Sequence, residues 1–201
     1  MMNDRNQKTV RGILLAAGQA RRFGGGKLLH CIDGIPIAVK AARAMLAAGL
    51  SVTAVVRVPQ GPLNEWFAAE GVQVSFCPKA DEGMGYSLAH GVAQCGQAQG
   101  WVVCLADMPY IHWQTIVKVR EAVELGALIA APVFEGKRAH PVGFGGSLYD
   151  ELIALKGDEG ARSVIQRYRD KAQWIQTQDA GVMADIDVPA DLQNPGLKVK
   201  E

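Results

Sequence analysis

The chain has 201 residues, enough for one domain with a sizeable core, and 49% of them are hydrophobic against 20% charged. A net charge of +1 excludes a broad basic footprint for nucleic acid, and no apolar run is long enough to cross a bilayer as a helix. Cys31, Cys77, Cys95 and Cys104 are widely spaced and form no C-x-x-C, so buried free thiols in a cytoplasmic protein are expected.

The polar opening, residues 1–10, reads as a flexible segment. Residues 13–17 form an apolar run bounded by Gly18, a buried strand that empties into a loop carrying Arg21, Arg22, Gly24, Gly25, Gly26 and Lys27. Glycines let backbone N–H groups turn toward an anion, while arginine and lysine add fixed and mobile positive charge. The loop therefore suits a triphosphate, with a solvated basic turn as the competing reading. It is not the dinucleotide fingerprint, because Gly18-Gln19-Ala20 breaks G-x-G-x-x-G at the second glycine. Nor is it G-x-x-x-x-G-K-[ST], since Leu28 follows Gly26-Lys27 and brings no hydroxyl for a magnesium ion.

Asp33-Gly34 marks a turn, and residues 37–49 an alanine-rich helix closed by Gly49. A second strand is predicted over residues 52–58, a short helix over 62–70 and a third strand over 72–76. The glycine-bearing stretch after Cys77 leads into a helix from about Tyr86. Residues 101–106 are apolar almost throughout, which predicts a strand covered on both faces, as in the centre of a parallel sheet. A helix over 113–125 and a strand over 127–132 continue the alternation. That pattern predicts an α/β fold with a doubly wound sheet and right-handed crossovers. Regular repetition stops there. Residues 134–141 read as a loop or hairpin, 148–155 and 161–168 as helices, 173–177 as a strand and 183–188 as a short extended piece. One domain over residues 11–192 is expected, with a frayed tail over 193–201.

Asp107 sits immediately past the buried strand of residues 101–106, at the end where open α/β sheets bind ligands. A carboxylate there can hold a divalent ion that bridges to nucleotide phosphates. Strand alternation puts Asp185 and Asp187 on one side of the 183–188 piece and Ile186 on the other, so either acid can meet Asp107. Arg138 and His140, in a glycine-flanked loop, can grip an anionic second substrate, although a plain surface turn explains them equally well. Gly83, Gly85 and Ser87 precede a helix and can approach a base or ribose through backbone groups. No cysteine has a histidine in evident local relation, so a catalytic thiol is not expected.

Five segments in this order, LAAGQARRFGGGK (15–27), CLADMP (104–109), GKRAHPVGF (136–144), GDEGAR (157–162) and DIDVP (185–189), resemble the molybdenum cofactor nucleotidyltransferases, most closely the cytidylyltransferase branch. The resemblance spans about residues 12–192 and implies a single-domain Rossmann-like nucleotidyltransferase fold with a mostly parallel central sheet. It implies nucleotide binding by Leu15, Ala16, Ala17, Gly18, Arg22, Gly24, Lys27, Gly83 and Ser87. Arg22, Lys27 and Asp107 would carry catalysis, Asp107 and Asp187 would hold magnesium, and Arg138 and His140 would face the pterin-bearing partner. The implied reaction moves CMP from CTP to the terminal phosphate of molybdenum-bound molybdopterin, and pyrophosphate leaves. Ala17 stands where the guanosine-using branch carries a second glycine, so CTP is expected over GTP, with a guanylyltransferase as the alternative. Ala20 departs from the serine or glycine common in the family; it loses a hydroxyl contact and keeps its backbone N–H. A nicotinamide-dependent oxidoreductase on the same fold and a noncatalytic nucleotide-binding accessory protein are the readings from other classes. The implied partners are the two substrates and, transiently, a molybdenum insertase or a molybdoenzyme-specific chaperone, with the protein itself a monomer.

Overall fold

Apolar residues on both faces of successive strands can be buried only by helices on both sides of a sheet. The computed structural model describes residues 9–19, 23 and 25–192. Its main strands are β1 (Val10–Ala16), β4 (Ser51–Val56), β5 (Gln73–Phe76), β6 (Gly100–Leu105), β7 (Ile129–Phe134), β9 (Val142–Gly145) and β10 (Ala172–Gln176). They lie in the order β5-β4-β1-β6-β9-β7-β10, and the two-residue β8 (Lys137–Arg138) pairs with β7 to complete an eight-stranded sheet. A separate hairpin joins β2 (Cys31–Ile32) to β3 (Ile35–Pro36) through Asp33 and Gly34, both at positive φ.

The sheet is mostly parallel, as the sequence predicts: β5, β4, β1 and β6 run one way, and β10 is parallel to β7. β9 is the departure. It runs antiparallel between β6 and β7, so β6 has a parallel neighbour on one edge only. The cause is local. Glu135 and Gly136, at φ 48° and 75°, reverse the chain in a tight hairpin, and no helix carries it across the sheet before β9.

Leu14, Ala16, Val102 and Cys104 face one layer, where they join residues of α1 (Ile37–Ala47), α2 (Pro62–Ala69) and α4 (Trp113–Glu124). Ile13, Val55, Trp101 and Val103 face the other, with α3 (Met84–Cys95), α5 (Tyr149–Ile153) and α6 (Arg162–Arg167). α4 lies close against the sheet because two glycines leave it room. A Cβ at Gly100 would stand 2.3 Å from Val123 Cγ1, and one at Gly143 2.6 Å from Val123 Cγ2. No helix among the described residues is long and apolar enough to cross a membrane.

Two sequence expectations change. Residues 183–188 form no strand; a 3-10 turn (Ala180–Met183) leads into irregular chain. All four cysteines are free, but Cys31 is exposed, because the short β2 lies off the main sheet. The N-terminal segment and the C-terminal tail fall outside the described residues.

Trp101 is fully buried at the centre of the sheet, and its Nε1 has no hydrogen-bond partner. Trp101→Phe should therefore be mild, whereas Trp101→Ala should lower unfolding free energy by about 3–5 kcal/mol, the usual cost of emptying such a site. Urea denaturation of the two variants checks both halves.

Candidate active site

β1 and β6 end side by side. Leu15 is in register with Leu105, and the Ala106 N–H donates to the Leu15 carbonyl at 3.0 Å, one residue beyond the last paired position. The loop after Ala17 and the Asp107 side chain thus leave the sheet together. β4 pairs with the opposite edge of β1, so this is the point where strand order reverses and a crevice opens.

Lys27 fills the crevice floor. It opens a 3-10 turn (Lys27–Leu29) after Gly26, whose φ of 65° turns the loop inward. The residue is buried, contrary to a solvated basic turn. Its Nζ donates to Asp107 Oδ2 at 2.8 Å and lies 3.8 Å from Asp187 Oδ1. Two carboxylates that are 80 residues apart in the chain therefore face one ammonium, and of the two candidate acids near the C-terminus it is Asp187 that reaches it. Asp185 lies on the His140 side, where its charge acts on the imidazole.

No sheet ladder brings Asp187 there. The Ile186 side chain is buried, and its N–H donates to the Asp107 carbonyl at 2.9 Å. Asp191 accepts from the N–H groups of Asp187 and Val188 at 2.8 and 2.9 Å. Further back, the buried Asp179 carboxylate accepts from His112 N–H at 2.9 Å, Thr115 Oγ1 at 2.7 Å and Gly181 N–H at 3.0 Å. It ties the 3-10 turn to the start of α4, and a Cβ at Gly181 would stand 2.0 Å from the Tyr110 carbonyl oxygen.

Two cavities meet at this point. One, of about 420 Å³, is lined by Ala17, Gly18, Lys27, Gly83, Ser87 and Asp107, together with Gln19 and Asp81. The other, of about 480 Å³, is lined by Arg138, His140, Phe144, Glu159 and Arg162. Leu15, Met84, Leu105 and Asp158 belong to both walls. The first cavity opens onto the N-terminal end of α3, which no side chain caps and whose dipole favours an anion. Gly83 and Gly85 are there because the chain passes closely over them: a Cβ at Gly83 would stand 2.3 Å from the Gly157 carbonyl, and one at Gly85 2.6 Å from the Lys156 oxygen. The Gly85 N–H donates to Gly157 at 2.7 Å, so it is not offered to a base or ribose.

Ala17, Gly18, Lys27, Gly83, Ser87 and Asp107 thus come together, and Leu15 stands between the cavities. Ala16 does not join them; its methyl is buried in the α1 and α4 layer. Arg22 and Gly24 lie outside the described residues. Sequence reasoning missed Gln19, which donates to Asp81 at 2.7 Å across 62 positions, and it missed Asp158, Arg162 and Asp179. Gln19 lies within LAAGQARRFGGGK and both Asp158 and Arg162 within GDEGAR, whereas Asp179 lies in none of the five segments.

The second cavity has a distinct electrostatic character. Burial and the nearby Arg162 charge both push the Arg138 guanidinium below its ordinary range. His140 is lowered to about 4, first by burial and then by Arg138, with Asp185 opposing in part. Its imidazole is neutral near pH 7, and Nδ1 is buried with no hydrogen-bond partner.

A lysine and two carboxylates thus meet at the switch point of an α/β sheet, the place where such sheets bind ligands. The chain belongs to the family of the MobA-like NTP transferase domain, whose model matches residues 12–172. Purine catabolism protein PucB of Bacillus subtilis (strain 168) is 29% identical over 194 residues, which span 90% of this chain and 92% of PucB. Among solved structures, Rv0371c from Mycobacterium tuberculosis H37Rv matches with a TM-score of 0.79 at 22% identity, covering 94% of this chain and 97% of that one. The same mycobacterial protein in complex with manganese gives a TM-score of 0.76 at 22% identity, covering 92% and 96%. The CMP:2-keto-3-deoxy-manno-octonic acid synthetase complexed with CTP gives 0.73 at 13% identity, covering 92% and 95%.

Asp179→Ala should leave buried donors unpaired and lower stability by about 2–3 kcal/mol, while Asp179→Asn, which keeps an acceptor oxygen, should recover part of the loss. Urea titration of both variants measures this. His140 gives a separate expectation. Its folded pKa lies below the ordinary 6.5, so unfolding takes up a proton between about pH 6.5 and 4, and stability is lost as pH falls through that window. Wild type should therefore lose stability more steeply than His140→Gln across it, as followed by thermal melts at stepped pH.

Proposed function

We propose that this nucleotidyltransferase moves CMP from CTP to the terminal phosphate of molybdenum-bound molybdopterin, forming molybdopterin cytosine dinucleotide and pyrophosphate. The observation that carries the reading is the Lys27, Asp107 and Asp187 cluster beside a wall shared by two cavities. One cavity has the features of a triphosphate site and the other those of a site for an anionic acceptor. The family supports transfer from a nucleoside triphosphate, and the structural neighbours complexed with manganese and with CTP support a divalent ion and a cytidine nucleotide.

Asp107 and Asp187 fit a magnesium ion, because both carboxylates already turn toward a single cation, the Lys27 ammonium. No group of three or more candidate ligands occurs among the described residues. Two carboxylates plus phosphate and water oxygens are what magnesium ordinarily takes beside a nucleotide. When bound, it would polarise the α-phosphate and offset charge on the departing pyrophosphate.

The chain itself supplies positioning. Lys27 and the N-terminal end of α3 face the β- and γ-phosphates, with Arg22 assigned to the same task by its place in the loop motif. Arg138, Arg162 and the neutral His140 seat the acceptor; the guanidiniums meet its anionic groups, and the imidazole offers a hydrogen bond without adding charge. An acceptor phosphate oxygen then bonds to the α-phosphorus as the bond to pyrophosphate breaks in line, with no protein nucleophile. Ala17 sets base size: its methyl lines the nucleotide cavity and leaves room for a pyrimidine.

Steady-state competition between CTP and GTP with molybdopterin as acceptor tests this. CTP should have the higher kcat/KM, and Ala17→Gly should narrow the preference without reversing it. Equal or better use of GTP would remove the cytidine assignment. Absence of pyrophosphate release from either nucleotide, with substrate-dependent oxidation of NADPH instead, would remove the transferase.

A further inference from the structure

The Lys27 ammonium occupies the space between the two carboxylates assigned to magnesium. Its backbone is fixed, since Leu29 N–H donates to Gly26 and His30 N–H to Lys27 across the 3-10 turn. Only the side chain can yield. That side chain is less exposed than either acid it faces, at 10% against 25% for Asp107 and 30% for Asp187. It also lines the nucleotide cavity, so an exit toward bound phosphates lies open to it.

We infer that Lys27 is a positioning residue that makes divalent-metal binding conditional on the nucleotide. The inference rests on the reading that Asp107 and Asp187 hold the metal. Without a polyphosphate, the ammonium holds both carboxylates in place and serves as their counter-ion. A divalent ion entering alone either shares the site with a positive charge a few ångströms away or forces that charge out with no partner to receive it. At such distances the repulsion is worth more than a tenfold change in affinity. A nucleotide triphosphate changes the balance: its β- and γ-phosphates receive the ammonium and the carboxylates are released to the ion. Metal and nucleotide then bind cooperatively, each strengthening the other by the same factor.

This predicts that removing the positive charge of Lys27 strengthens metal binding in the absence of nucleotide. Mn2+ binding is followed by loss of the free-ion electron paramagnetic resonance signal in wild type, Lys27→Gln, Lys27→Met and Lys27→Arg. Each protein is measured alone and with a CTP analogue that cannot be cleaved between the α- and β-phosphates, corrected for Mn2+ held by the analogue itself. Alone, the Gln and Met variants should bind Mn2+ at least about tenfold more tightly than wild type, and the Arg variant should resemble wild type. The analogue brings phosphate ligands to the ion in every variant, so it should tighten Mn2+ binding throughout, and by at least about tenfold more in wild type than in the neutral variants.

Neutral variants that melt cooperatively but bind Mn2+ alone no better than wild type would overturn the inference. If neither neutral variant folds, wild type decides: Mn2+ binding that the analogue does not tighten overturns it as well. The metal-only arm contains no nucleotide, so an error in the base assignment leaves it intact, and a GTP analogue then repeats the coupling arm. Adding Asp187→Asn to Lys27→Gln should abolish the gain. A gain that survives places the ion elsewhere and overturns both this inference and the metal reading.

Discussion

An ammonium withdrawn from water needs an anion beside it, and much of this structure serves to bring anions to Lys27. Asp107 arrives by the simplest route, as the continuation of a central strand whose register with β1 is fixed by burial on both faces. Asp187 arrives by a longer one, through a turn pinned by the Asp179 carboxylate, a single backbone bond to Asp107 and the buried side chain of Ile186. Two unrelated stretches of chain are thereby committed to one charge. The ammonium offsets the repulsion that two like charges facing one point would otherwise feel.

The order of the strands explains why the site lies where it does. β4 and β6 flank β1 on opposite edges, so the connections that follow β1 and β6 diverge and leave a crevice between them. The hairpin between β7 and β8 then brings Arg138 and His140 toward the neighbouring cavity, and the antiparallel β9 carries Phe144 into the same wall. Departure from a uniformly parallel sheet is thus what gives the crevice its second compartment.

Much of the frame could be read from local pattern. The apolar runs around Ile13 and Trp101, the helix stop at Gly49 and the turn at Asp33-Gly34 each follow from a short-range preference, and the structure has them all. Strand direction was not legible, because alternation and apolarity are the same for a strand running either way; β9 therefore came as a difference. The 183–188 stretch misled for a related reason. Two acids around one isoleucine look like strand alternation, yet Ile186 is buried by irregular chain. Within the site, Lys27 and Asp107 announced themselves by their positions after a strand and a glycine loop. Gln19 with Asp81, and Asp179 with Thr115, are joined across more than sixty positions and leave no periodic trace.

The shared wall between the cavities divides the chain as well as the space. Apart from Asp158, the first compartment draws on residues up to Asp107. The second compartment draws its polar groups from residues 138–162, and the two stretches touch where Gly157 crosses Gly83 and Gly85. Substitutions and insertions between β7 and α6 can reshape the second compartment while most of the first stays as it is. At the glycine crossing a change in either half must be answered by the other.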